Sequence, residues 1–230
     1  MNTIHPTAII GDSVVIGTGN TIGPYAVILG NVKIGNDNWI GSHAAIGGPA
    51  EIRGADLPAS WQMRGEHGQI SIGNNTVVRE SCVIHAGYFS GTRIGDDCYI
   101  MNQAYVAHDC TLGDQVTLSS HVALGGHVAV QKGANLGMGA VVHQRRVIGA
   151  MCMIGMGSVV TRDINPYSKA FGNPARVMGS NRVGMERAKF DDDLIHKITS
   201  ALDSADVDAL RKLIPAEMSM FDSVTTSRPA

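Results

Sequence analysis

Aromatic side chains are scarce in this chain: two Trp, five Tyr and four Phe among 230 residues. Packing must therefore come from aliphatic side chains, since there are too few large rings to build a core on. Long hydrophobic runs are missing too. No stretch of 18 apolar residues occurs, so no membrane-spanning helix and no integral membrane contact are expected. The N-terminus lacks a charged-then-apolar leader pattern, which predicts a soluble, cytoplasmic protein. Cys82, Cys98, Cys110 and Cys152 are scattered with no CxxC pair and read as reduced, structural thiols. The formal net charge is −2 and no long basic run appears, so nucleic acid is excluded as a partner. Glycine, in contrast, is abundant at 28 residues, which argues against a helical bundle.

What is present is a repeat. Ile4, Ile10, Ile16, Ile22, Ile28, Ile34, Ile40 and Ile46 are spaced by six, and glycine follows most of them. The step resumes at Ile72, Val78 and Ile84, shifts by four, and runs unbroken from Ile94 to Val160. A period of six is neither helical nor a simple strand alternation. It describes a short strand and a turn, three of which close a triangular coil of eighteen residues whose aliphatic side chains stack inside. The fold class expected is all-β, a parallel β-helix of hexapeptide repeats, over residues 1–165. Insertions interrupt it at 49–71, which carries Arg53, Trp61 and Arg64, and at 86–93. Loops expelled from a rigid scaffold often carry function. Residues 166–222 read as an irregular exit and a small α-helical appendage. There Leu194, Ile195, Ile198 and Leu202 share a face, and Val207, Leu210 and Leu213 mark a second helix. These helices are expected to cap the prism and pack on neighbouring chains. A disordered tail is expected over 223–230.

Stacking by eighteen converts sequence into neighbours. Ile84, Val106, Leu124, Val142 and Val160 fall in one column, and beside them stand His85, His108, His127, His143 and Gln144. Four histidines along one edge suit a general base with substrate-binding partners. They also suit a metal site, or exposed turn residues with no chemistry. Asp109 beside His108 could hold the ring in one tautomer, or cap its own turn.

Five segments (NQAYVAHDCTLG, RESCVIH, LGGHV, GMGAVVHQ and GNPARVMGSNRVGMER) resemble the acyl-(acyl carrier protein)–UDP-N-acetylglucosamine O-acyltransferase family of lipid A synthesis, over roughly residues 4–190. The resemblance implies a left-handed β-helix, a homotrimer, and active sites in clefts between chains. It implies His108 as general base, Asp109 as its orienting carboxylate, and backbone N–H groups at Gly125–Gly126 for the oxyanion, with Gly126 placed in the catalytic group. His85, His127, His143 and Gln144 would meet acyl donor or sugar, and Asn181 and Arg187 the nucleotide or phosphate. Met156, beside Met138, Met151 and Met153, would shorten the acyl groove and select a short or medium chain. The co-substrate would be a phosphopantetheine thioester, on acyl carrier protein or coenzyme A, with no tightly bound cofactor. The acceptor would be a hydroxyl or amine of a nucleotide sugar.

Departures accompany the match. Ala188 replaces a second basic residue, Tyr105 replaces a family histidine, and Ser60 and Gln62 stand in a longer loop where the family grips its sugar with Asp and Lys. The acceptor could accordingly be a non-nucleotide amine or alcohol, and a non-catalytic trimeric scaffold also stays open. No metal is expected: where hexapeptide carbonic anhydrases place a further histidine, five residues before this one, the chain has Gln103.

Overall fold

The computed structural model describes residues 1–54, 57 and 68–226. It is a parallel β-solenoid of about nine turns with a short helical part at its C-terminal end. Among the described residues the strands form three sheets of ten, eight and seven members, one for each face of the prism. Strands of two to four residues build the coils, and each pairs in parallel with the equivalent strand one coil away.

The register follows the hexads. Ile84 pairs with Val106, Val106 with Leu124, Leu124 with Val142 and Val142 with Val160. The first of these steps spans 22 residues, so residues 86–93 do add four to one coil. The aliphatic residue of each hexad points inward; Ile28, Ile46, Ile84, Leu118, Leu124 and Leu136 are all 0–1% exposed. Each such burial stabilises the prism by roughly 2 kcal/mol. The small residue two places earlier fills the corner. All four cysteines occupy that corner position, buried and unpaired. Each thiol donates to a carbonyl of a neighbouring coil, as Cys82 does to Met101 O at 3.0 Å and Cys110 to Gly125 O at 3.3 Å. Burial pushes the Cys110 and Cys152 thiols up to about 12, so they stay protonated.

The C-terminal part differs from expectation in three ways. The supposed irregular exit is a hairpin: Ser168–Gly172 joins the ten-stranded sheet and pairs antiparallel with Ala175–Ser180. Four helices follow rather than two: α1 (Arg182–Arg187), α2 (Asp192–Asp203), α3 (Val207–Leu213) and α4 (Pro215–Thr226). The expected tail is therefore helical as far as Thr226, because Phe221 and Val224 pack on the appendage core. The appendage packs on the last coils of the prism and on the hairpin. Its core includes Ala129 and Val147, outward-facing residues of the seven-stranded sheet, together with Tyr167. On that outer column Arg93 and Thr111 are exposed, while Ala129 and Val147 are apolar and covered. The helices lie where the column turns apolar. Asp191 caps α2 and Asp206 caps α3, each accepting from backbone N–H groups of the first turn.

Candidate functional site

The corner between the eight- and seven-stranded sheets gathers the candidate side chains. Stacking by eighteen puts His108, Gly126 and Gln144 in one column, and Asp109, His127 and Arg145 in the next. Backbone bonds lock that register: His127 N donates to His108 O at 3.0 Å, and Arg145 N to Gly126 O at 2.8 Å. Asp109, His127 and Arg145 all sit at φ near +60°, the left-handed turn position that Asp and His tolerate better than most residues.

His108 Nδ1 donates to Asp109 Oδ2 at 2.9 Å. Its ring is mostly covered, and the Asp109 carboxylate is fully buried. The opposite ring nitrogen lies over Gly126, where an added Cβ would stand 2.5 Å from His108 Nε2. Glycine at 126 is thus required by the ring above it. Of the two glycine N–H groups expected to meet an oxyanion, that of Gly125 is taken by Val142 O at 2.9 Å, whereas that of Gly126 donates to no group among the described residues.

His127 approaches from the next coil. Its ring packs edge-on against His108 at 5.0 Å between centroids, and its Nε2 lies 3.9 Å from Asp109 Oδ2. Burial holds the His127 pKa below its ordinary value, with the charges of His108 and Arg145 in the same direction and Asp109 opposing. For Asp109, burial alone would raise the carboxyl pKa. The hydrogen bonds from His108 and from the N–H groups of Ser90, Tyr88 and Phe89 outweigh it and hold the group well below the usual carboxylate range. Ligand atoms of His108, Asp109 and His127 lie within 4.8 Å of one another, a spacing a metal ion could use. Both carboxylate oxygens are already occupied by hydrogen-bond donors, however, which suits an orienting group better than a ligand.

Other expected residues lie apart. His85 does not join the pair: its Nδ1 contacts Pro49 O at 2.8 Å and Glu51 Oε2 at 3.3 Å, and its ring meets Tyr105. Burial and the nearby Glu51 carboxylate push the Tyr105 hydroxyl above its ordinary range, and Pro49 and Glu51 bring the insertion's first residues against this second polar group. His143 is exposed and contacts its own neighbour, Gln144 O, at 3.1 Å. Met156 is 78% exposed on a different corner, between the ten- and eight-stranded sheets, as is Met138. Asn181 caps α1 through Gly184 N and donates to Met151 O at 2.7 Å. Arg187 ends α1, exposed. Arg53 is exposed too; Ser60, Trp61, Gln62 and Arg64 lie outside the described residues.

Sequence reasoning missed the 86–93 loop as a partner of Asp109, although Gly87 and Gly91 bracket it. It also missed an apolar groove of about 890 Å³ leading from the pair across the seven-stranded sheet. Phe89, Asp109, His127, Ala129, Met220 and Val224 are among its walls.

Two family models match: bacterial transferase hexapeptide (six repeats) over residues 91–126, and domain 2 of UDP-N-acetylglucosamine O-acyltransferase over 163–204. The solved UDP-N-acetylglucosamine acyltransferase from Campylobacter jejuni is 30% identical, with a TM-score of 0.74 over 87% of this chain and 81% of that one. The chain belongs to the UDP-N-acetylglucosamine acyltransferase family. The Acinetobacter baumannii LpxA structure is 29% identical, with a TM-score of 0.79 over 94% of this chain and 91% of that one. An acyl-[acyl-carrier-protein]–UDP-N-acetylglucosamine O-acyltransferase of Pseudomonas fluorescens is 36% identical over 151 residues, 64% of this chain. The matched region spans only 58% of that relative's length.

Proposed function

We propose that the protein is an acyltransferase that moves an acyl group from an acyl carrier protein thioester to a hydroxyl or amine of a nucleotide sugar, with His108 as general base. One observation carries the reading: the imidazole is anchored through Nδ1 to a buried carboxylate, which leaves Nε2 with its lone pair beside an unspent backbone N–H. Nε2 takes the proton of the acceptor's hydroxyl or amine as its oxygen or nitrogen attacks the thioester carbonyl carbon. The carbonyl oxygen becomes an oxyanion, and in this reading the Gly126 N–H donates to it. The intermediate collapses by breaking the C–S bond, and the proton on Nε2 passes to the departing pantetheine thiolate. Asp109 stabilises the imidazolium between these steps.

The groove beside His127 has the volume and apolar walls suited to an aliphatic chain. Met156, Asn181 and Arg187 contribute across a subunit boundary in a homotrimer, which is the arrangement that would bring the separate corners together, while His143 and Gln144 share the corner of His108 and meet the substrates there. Carrier protein is read as the donor's source, ahead of coenzyme A, and a short or medium acyl chain as its cargo. The protein is read as cytoplasmic, and no tightly bound cofactor enters the chemistry.

The test is a transfer assay with carrier-protein and coenzyme A thioesters of graded length against UDP-sugars, read by mass spectrometry. Acylated UDP-sugar should form, and His108→Ala should lower kcat by about 10²-fold or more with the fold intact. Turnover unchanged in that variant would remove His108 from the reaction and favour a scaffold. Failure of every UDP-sugar to serve as acceptor or to raise Tm would move the acceptor outside the nucleotide class.

A further inference from the structure

The coil that contains residues 86–93 has four residues too many, and they could have formed a solvated bulge. Instead they fold inward. Gly91 adopts φ +87°, and a Cβ on Gly87 would stand 2.2 Å from Gly91 Cα, so the loop closes on itself only because both are glycine. The closed loop aims four consecutive N–H groups at one carboxylate. Asp109 Oδ1 accepts from Phe89 N at 3.0 Å, Ser90 N at 2.7 Å, Ser90 Oγ at 3.2 Å and Gly91 N at 3.0 Å. Oδ2 accepts from Tyr88 N at 3.0 Å and from His108 Nδ1 at 2.9 Å. The fold supplies its own control. Asp37 and Asp97 occupy the same left-handed turn position, φ +57° and +55°, and are exposed, whereas Asp109 is 5% exposed. The turn alone leaves an aspartate in water; the loop buries it.

We propose that the 86–93 loop is a positioning element for the base, in which Ser90 and the Tyr88–Gly91 backbone fix the Asp109 carboxylate so that only Oδ2 faces His108. This rests on the reading of His108 as the base. With Oδ1 committed to the loop, the carboxylate cannot swing about its Cβ–Cγ bond without breaking several charge-assisted hydrogen bonds. The ring that depends on Oδ2 therefore keeps one tautomer and one tilt over Gly126. Ser90 lines the groove edge beside Phe89, and its role here runs through Asp109 and then His108.

The experiment compares Gly91→Ala, Ser90→Ala and Ser90→Thr in the full chain by three readouts: Tm, kcat and KM for the transfer, and ¹⁵N chemical shifts of His108. Gly91→Ala should stay folded, keep both KM values, lose about tenfold in kcat and populate the Nε2–H tautomer. Ser90→Ala should lower kcat several-fold at constant KM, and Ser90→Thr, which restores the hydroxyl, should recover it. A folded Gly91→Ala chain with unchanged kcat and an unchanged Nδ1–H tautomer would overturn the proposal. If Gly91→Ala does not fold, equal kcat and tautomer in the Ala and Thr variants of Ser90 would overturn it equally. The tautomer is read without substrates. A chain that transfers no acyl group but loses its Nδ1–H signal in the variants would sink the functional reading and leave the positioning role standing.

Discussion

Asp109 shows how one residue can be set by groups that no motif records. Its carboxylate receives backbone N–H groups, and any side chain at 88 or 89 would present the same donors, so the contact is invisible to a reading of residue types. Its sensitivity to acid follows from the sign of its shift. Asp109 and His127 both have folded pKa values lowered from the ordinary 3.8 and 6.5. In each case the unfolded chain binds the proton more readily. Their contribution is therefore present above the unfolded pKa and is lost as pH falls, first through the His127 range and then through the Asp109 range. Thermal unfolding between pH 7 and pH 3 should show Tm dropping in that order. Asp109→Asn should remove the acid limb. It should also cost about 1–3 kcal/mol at neutral pH, because an amide NH₂ would face N–H donors. A Tm flat across that range in the wild type would contradict both shifts.

At the scale of elements, the hexads told where strands fall because inward stacking permits few substitutions. The histidine edge was less legible. Spacing gathered four imidazoles, but only His108 and His127 meet, since His85 is drawn to Glu51 and Pro49 by an insertion whose path no periodicity describes. The C-terminal hairpin escaped for a related reason: Ser168–Gly172 joins its sheet outside the six-step. The elements also differ in how well they are held. The first strands, Thr3–Ile4, Ile9–Ile10 and Val15–Ile16, pair on one side only and are largely exposed, while Thr117–Leu118 and Ala123–Leu124 pair on both sides over a buried core. In a solenoid each coil leans on its neighbours, so opening should begin at the free end. Native-state hydrogen exchange should find the amides of Thr3 and Ile9 the least protected and those of Thr117 and Ala123 among the most. Uniform protection along the prism would show that the coils open as one unit.

For the whole molecule, the separation of the exposed apolar side chains is the informative feature. Phe89 and Tyr88 stand exposed at the corner that holds His108, and Met138 and Met156 stand exposed at another. Two unlike apolar edges on one chain can satisfy each other head to tail, and a ring of such contacts closes without a free end. Light scattering should report three copies per particle, and Met156→Glu should shift that equilibrium toward the monomer and reduce turnover with it. A wild-type monomer with full activity would show that one corner suffices. Among the described residues no helix is long and apolar enough to cross a membrane.

The sequence by itself determined the prism, its register and the residues that share a corner, because an aliphatic residue at every sixth position has one economical way to leave water and backbone pairing then sets the spacing between coils. Only the tertiary structure decided which of those corner residues become chemical partners. That choice depends on two inserted glycines, a fold-back of four surplus residues and the direction of backbone N–H groups, all of which are properties of the path the chain takes and none of which is carried by side-chain periodicity.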